Sequence, residues 1–134
     1  MFFESVNFNN QIVKDIIETD NVVKGDLIIF TEDVYSKNFY VHKIIGRRTI
    51  LARIYNHNYG EKYITFSMEV IDCIGTDSDK LIIKKYIKRR EPTLFKKYKV
   101  YRQLWKTEID EINRFYFLDA QHVFKHSLIQ TEKG

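Results

Sequence analysis

The clearest pattern in the chain is an alternation of apolar and polar residues between positions 63 and 70. Its apolar members are Ile64, Phe66, Met68 and Val70, and each residue between them is polar. A period of two places one set of side chains on each side of an extended backbone. This run therefore predicts a half-buried strand.

Four further runs are rich in β-forming residues and are bounded by turn-forming residues. They are Leu27–Thr31, Phe39–Ile45, Thr49–Tyr55 and Lys80–Lys88. The second and third are separated by Gly46-Arg47-Arg48, which has the length and chemistry of a tight hairpin loop. Turn-forming residues at 56–60 and 75–79 separate the later runs, so we expect five consecutive strands.

A helical spacing of apolar residues precedes these strands. Between positions 10 and 20 the spacing is i, i+1, i+4 and i+5, and its members are Ile12, Val13, Ile16 and Ile17. These positions share one face of a helix, and an asparagine at position 9 or 10 could cap it. The spacing predicts an N-terminal helix.

A second helix is predicted after residue 90. Thr93 or Glu91 could cap its N-terminus, and Pro92 is tolerated in a first helical turn. Its apolar stripe has the spacing i, i+4, i+7 and i+11 and consists of Leu94, Tyr98, Tyr101 and Trp105. We expect this aromatic face to pack on the sheet, since large aromatic side chains dominate core burial.

The C-terminal region is less clearly patterned. Ile109–Leu118 could extend a helix or form a strand, and we favour the strand, followed by a short helix that Asp119 caps. The predicted class is α+β: an antiparallel, barrel-like sheet of five or six strands with an N-terminal helix and one or two C-terminal helices.

Length and composition favour one folded domain over residues 1–134, with 131–134 as a flexible tail. Apolar residues make up 44% and charged residues 30% of the chain, unlike a disordered sequence. Cys73 is the only cysteine, so a disulfide within the chain and a thiolate zinc site are excluded. We expect it to be buried and inert. With no signal-peptide pattern and no long apolar run, we expect a cytoplasmic protein without membrane contact.

Charge is unevenly distributed along the sequence. The segment 84–106 carries ten basic residues and one acidic residue, a net charge of +9, whereas the whole chain carries +4. The other residues therefore sum to −5. Such segregation predicts a surface for a polyanion, either nucleic acid or an acidic protein. Its basic members are Lys84, Lys85, Lys88, Arg89, Arg90, Lys96, Lys97, Lys99, Arg102 and Lys106.

The aromatic residues of this segment divide into two groups. In the predicted helix, the aromatic stripe and the lysines fall on opposite faces, which assigns those aromatics to the core. Tyr86 differs, because in a strand it shares a face with Lys84, Lys88 and Arg90. It is the one aromatic residue of the segment that we expect to contact a ligand, by stacking on a base.

A second basic cluster is predicted around the hairpin tip and consists of Lys43, Arg47, Arg48 and Arg53. Its two arginines in the glycine turn, Arg47 and Arg48, could clamp phosphates. Solvated charges at a loop tip are the alternative interpretation.

Other chemistry in the sequence is weaker. Asp119, His122 and His126 have a spacing that could hold a metal on a helix, but a helix cap with two surface histidines explains it equally well. We expect no metal and no cofactor. His42 and His57 could serve as the acid and base of a metal-independent ribonuclease. The pattern favours a non-enzymatic protein that contacts nucleic-acid phosphates with little sequence preference. The alternatives are a phage or viral accessory protein, such as an inhibitor docking on an acidic host surface, and a small ribonuclease.

Overall fold

The computed structural model describes residues 4–36, 40, 43–60, 62–77, 85–107, 109–116, 118 and 121. In this part of the chain there are seven strands and two short helices. The strands are β1 (Glu4–Asn7), β2 (Ile12–Thr19), β3 (Leu27–Tyr35), β4 (Ile44–Tyr59), β5 (Ile64–Gly75), β6 (Tyr86–Arg90) and β7 (Val100–Gln103). Helix α1 (Glu91–Leu94) lies between β6 and β7, and α2 covers residues 109–116.

All seven described strands form one antiparallel sheet in the order β1-β2-β7-β3-β4-β5-β6. β7 is inserted between β2 and β3 and pairs with both. The sheet is open, since its end strands β1 and β6 do not pair. The predicted α+β class with a barrel-like sheet is therefore wrong: the protein is mostly antiparallel sheet.

The predicted N-terminal helix is strand β2. Val13 and Ile16 are both buried, at 3% and 2% exposure, although they are three residues apart. Asp15 lies between them with a φ of 58°, in the left-handed region, and the β1–β2 register shifts there. This irregularity resets the alternation, so a distorted strand reproduces the apolar spacing of a helix.

The predicted hairpin at Gly46-Arg47-Arg48 is also wrong, because these residues lie inside the continuous strand β4. They pair with Val34, Asp33 and Glu32 of β3. A side chain at Gly46 would come within 2.1 Å of Thr76 Oγ1, so the glycine permits a close approach and makes no turn. The chain turns after β4, where the amide of Gly60 donates to the carbonyl of Tyr63.

The alternation between residues 63 and 70 is confirmed as part of β5. Ile64, Phe66, Met68 and Val70 are all at most 2% exposed. The predicted strand Lys80–Lys88 is described only from position 85, and β6 begins at Tyr86 and continues to Arg90.

The second predicted helix is reduced to the single turn α1. Val100–Gln103 forms β7 because two neighbouring strands satisfy its backbone groups, so Leu94, Tyr98, Tyr101 and Trp105 form no helical stripe. Residues 109–116 are helical where a strand was favoured. The predicted helix after Asp119 lies almost entirely outside the described residues. Neither described helix is long and apolar enough to cross a membrane.

Two apolar cores lie on opposite sides of the sheet. The larger one lies on the inner face of β3–β6 and is covered by Leu94 of α1 and the adjoining Phe95. The smaller one lies between the strands β1–β2 and the opposite face of β3 and β4, and it includes Phe8 and Leu51. Two register shifts in the β4–β5 pairing increase the local bend, so β3–β6 curl around the larger core. Cys73 is buried, as predicted, and its burial raises the pKa of the thiol.

Candidate functional site

The basic segment 84–106 does not form one surface. It begins before the edge strand β6, passes through α1 and ends after β7 in the middle of the sheet. Its cations are consequently distributed over several parts of the molecule. Lys84 lies outside the described residues.

Three of the predicted contact residues are held in internal ion pairs. Glu32 accepts hydrogen bonds from Arg48, with Nη2 to Oε2 at 2.7 Å, and from Arg89, with Nε to Oε1 at 2.8 Å. Burial alone would raise the pKa of Glu32, but both guanidinium groups together lower it below its usual value. Arg102 is 8% exposed and donates two hydrogen bonds of 2.9 Å to Glu111. Their role as nucleic-acid contacts stays a prediction, and a phosphate would have to compete with these internal carboxylates for the guanidinium groups.

Lys97, Lys99 and Arg47 also interact within the protein. Lys97 Nζ lies 3.1 Å from Asp33 Oδ2, and the hydroxyl of Tyr98 donates to Asp33 Oδ1 at 2.6 Å. The hydrogen bond from Tyr98, followed by that from Lys97, lowers the pKa of Asp33. Arg47 lies over the Tyr98 ring at 5.9 Å, not at a loop tip. Lys99 forms a looser exposed pair with Glu18 at 3.6 Å.

The remaining described cations of the segment face solvent. Within the described part of the chain, no ion pair involves Lys85, Lys88, Arg90, Lys96 or Lys106, and all five are exposed. Two of them, Lys88 and Arg90, belong to β6.

Tyr86, Lys88 and Arg90 lie on the outer face of the sheet, opposite the larger core. Ile87, between the first two, is buried in that core. Directly paired residues of neighbouring strands share a face. Tyr86 pairs with Glu69 of β5, which pairs in turn with Arg53 of β4.

Tyr55 lies on the same face of β4 as Arg53, two residues further along the strand. The β4–β5 register shifts between Ile54 and Asn56, which leaves Tyr55 as the extra residue. Its ring lies against that of Tyr86, with centroids 4.8 Å apart, and the two residues are 43% and 59% exposed. We call Arg53, Tyr55, Tyr86, Lys88 and Arg90 the outer-face patch. Glu69 is the acidic residue within it.

The sequence indicated Tyr86, Lys88 and Arg90 but missed Tyr55. The tyrosine ends the predicted strand Thr49–Tyr55, where alternation places it on the face of Arg53. Its contact with Tyr86 also requires β4 and β6 to lie on either side of β5, and no local sequence pattern indicates that order. Arg53 was grouped with the hairpin tip, whereas its Nη1 donates to the Gly25 carbonyl at 3.1 Å beside the outer face.

A groove lies on another side of the molecule, between the end of β3 and the connection from α1 to β7. It has a volume of about 480 Å³. Its lining includes Asp33, Tyr35, Ile44, Thr93, Lys96 and Lys97, with Glu32 and Arg89 also contributing. We call it the β3–α1 groove.

His57 is the one described histidine of the predicted ribonuclease pair, since His42 lies outside the described residues. It pairs with Phe66, and its ring contacts Tyr59 edge-on at 5.1 Å. The buried Nδ1 atom has no hydrogen-bond partner in the described structure, and burial followed by the charge of Lys24 lowers the pKa of the imidazole. The described residues contain no group of three or more metal-ligating side chains. Asp119, His122 and His126 lie outside the described set.

Comparison with known proteins gives one match. No curated protein and no solved structure matches the chain. A family model matches residues 23–105, which span β3 to β7 and include the outer-face patch and the β3–α1 groove. The chain belongs to the family described as Domain of unknown function (DUF7699).

Proposed function

We propose that the protein binds single-stranded nucleic acid on the outer-face patch, with little sequence preference. The observation that carries this proposal is the exposed ring pair of Tyr55 and Tyr86 on the strand face that also presents Lys88 and Arg90. Exposed rings beside cations are the combination that sequence-tolerant single-strand binding uses.

The cations of the patch supply the phosphate contacts. Alternate residues of a strand are about 6.6 Å apart. Lys88 and Arg90 therefore form a row that can follow an extended sugar–phosphate backbone along β6. Binding to phosphates releases condensed counterions and gives affinity without sequence information.

The tyrosines supply stacking. Every base has a π face, so a ring that stacks on it contributes about 1–3 kcal/mol regardless of sequence. Single-stranded RNA is bound in this way on the open sheet faces of other domains. A duplex keeps its bases stacked internally, which favours the single strand as the ligand of an exposed tyrosine pair.

The test is fluorescence anisotropy with a labelled mixed-sequence oligonucleotide at low salt, as single-stranded DNA, single-stranded RNA and duplex. We expect the single strands to bind more tightly than the duplex. Tyr86→Ala should weaken binding about tenfold, by loss of one stacked base, while Tyr86→Phe retains it. Lys14→Ala on β2 is the matched surface control, because Lys14 is exposed and four strands lie between β2 and β6 in the sheet.

The same experiment separates this proposal from docking on an acidic protein. That alternative uses the same cations but does not require a base-stacking ring. Absence of binding at low salt, or equal affinity of Tyr86→Ala and the unmodified protein, contradicts the proposal. Cleavage of the labelled RNA, abolished by His57→Ala, would instead favour the ribonuclease alternative.

A further inference from the structure

The β3–α1 groove has the size and lining of a small-ligand site. Its volume of about 480 Å³ lies within the range of about 300–1,000 Å³ that is usual for ligand pockets. It combines an apolar wall, several cations and the hydroxyls of Thr31 and Thr93. Apolar walls with a few convergent polar groups are typical of such sites.

Tyr35 and Ile44 form the apolar wall. They are direct cross-strand partners at the end of the β3–β4 ladder, and they are 50% and 48% exposed. Two large apolar side chains thus meet solvent side by side. A flat ring placed on them would remove apolar surface from water and gain stacking on the tyrosine.

The charges around the groove favour an anion. Both acidic residues of the lining already accept two donors each: Glu32 binds Arg48 and Arg89, and Asp33 binds Tyr98 and Lys97. Lys96 makes no ion pair within the described part of the chain. Together with Arg47 over Tyr98, the basic residues of the lining exceed the acidic ones by two.

The charged residues also exclude a wholly apolar ligand. An acyl chain in this groove would remove the remaining water from the partly exposed ion pairs of Glu32 and Asp33 without replacing its hydrogen bonds, which costs free energy. A ligand with one planar end and one anionic end fits this lining, because the planar end can lie on Tyr35 and Ile44 while the anionic end contacts the lysines.

We propose that the β3–α1 groove binds a nucleoside phosphate, with its base on Tyr35 and Ile44 and its phosphate on Lys96 and Lys97. This site is separate from the outer-face patch and does not depend on it. The ligand is a mononucleotide or the phosphorylated end of a strand, since both present the same chemistry.

The experiment is a titration of ¹⁵N-labelled protein with AMP, followed by amide chemical shifts, with adenosine and inorganic phosphate as separate arms. We expect AMP to shift amides of residues 31–35, 44 and 93–98. Adenosine or phosphate alone should bind at least about tenfold more weakly, because adenosine lacks the group that contacts the lysines and phosphate lacks the base that lies on Tyr35. A 5′-phosphorylated dinucleotide, compared with its unphosphorylated form, distinguishes a strand end from a free nucleotide as the source.

Variants of exposed residues keep the test independent of folding. Tyr35→Ala and Lys96→Ala should each weaken AMP binding about tenfold. Lys106→Ala, an exposed lysine outside the groove lining, should leave it unchanged. No shifts at about 10 mM AMP, or phosphate alone binding as well as AMP, overturns the proposal.

The double variant Lys88→Glu/Arg90→Glu separates the two proposals. It should abolish binding of the oligonucleotide to the outer-face patch and leave AMP binding in the groove intact. If the double variant removes the AMP shifts and Lys96→Ala does not, AMP binds the outer-face patch and the groove proposal is wrong, while the proposed function stands.

Discussion

Arg89 on β6 donates its Nε to Glu32 Oε1 on β3 at 2.8 Å, although β4 and β5 lie between these strands in the sheet. The strands β3–β6 therefore curl so far that side chains from the inner faces of the first and the last meet across the larger core. Arg48 of β4 completes the cluster on the same carboxylate. An ion pair thus connects β6, which is an edge strand among the described residues, to β3 on the other side of the larger core.

Glu32→Gln should destabilise the fold by about 2–3 kcal/mol, because two guanidinium groups that are about one fifth exposed would lose their counter-ion. Urea unfolding followed by tyrosine and tryptophan fluorescence measures the change. Glu18→Gln is the matched control: its pair with Lys99 is exposed, and its loss should cost less than about 0.5 kcal/mol. Equal losses in the two variants would contradict a stabilising role for the Glu32 cluster.

The stabilisation from Glu32 should depend on pH. The folded protein holds the pKa of Glu32 below 4.5, its ordinary value, so the unfolded chain binds a proton more readily than the folded one. The contribution is complete above pH 4.5 and is lost as the pH falls through the folded-state pKa. Unfolding free energies of the unmodified protein and Glu32→Gln should therefore converge below pH 4.5. A difference that is constant from pH 7 down to pH 3 would show that this carboxylate has no depressed pKa.

The salt dependence of oligonucleotide binding should report the phosphate contacts of β6. For single strands each contact contributes about 0.7 to the slope of log K against log salt concentration. Lys88→Ala/Arg90→Ala should reduce this slope by about 1.4, and Lys14→Ala should not change it. Anisotropy titrations at several salt concentrations give the slopes. An unchanged slope in the double variant would place the phosphates elsewhere.

Arg114→Leu should destabilise the fold by about 3–5 kcal/mol, since it removes the cationic partner of fully buried Asp26. Arg114 also donates to the carbonyl and side chain of Asn21, so the loss would detach α2 from the segment before β3. Urea unfolding and hydrogen exchange of the α2 amides measure the two effects.

Asn113→Leu is the control for Arg114→Leu, because Asn113 is exposed on the same helix. Its unfolding free energy should match that of the unmodified protein. If both variants unfold at the same urea concentration, the Asp26–Arg114 pair is not what holds α2.

The sequence alone correctly predicted the alternating part of β5. It failed in β2, where one residue interrupts the two-residue period of a strand. The alternation holds because residues 65–69 of β5 pair with strands on both sides, β4 and β6. In β2, a single left-handed residue, Asp15, converted strand spacing into the spacing of a helix. The ring of Tyr55 was missed for another reason: its contact with Tyr86 depends on β4 and β6 lying on either side of β5, which the spacing within one strand does not indicate.

The internal ion pairs were beyond the reach of local sequence patterns. Arg89 and Glu32 are 57 residues apart, so only the curl of the sheet brings them together. A count of basic residues in the segment 84–106 therefore overestimated the surface available to a polyanion. The arrangement of Tyr86, Lys88 and Arg90 was predictable because it requires only that β6 is extended.

The position of β7 between β2 and β3 constrains the order in which the protein can assemble on the ribosome. The β1–β2 hairpin is synthesised first, but its sheet partner β7 ends only at Gln103. The strands β3 to β6 emerge in between and can pair with one another as successive hairpins. One edge of the N-terminal hairpin and one edge of β3 therefore stay unpaired until Val100–Gln103 inserts, and a nascent chain that stalls before this point exposes both.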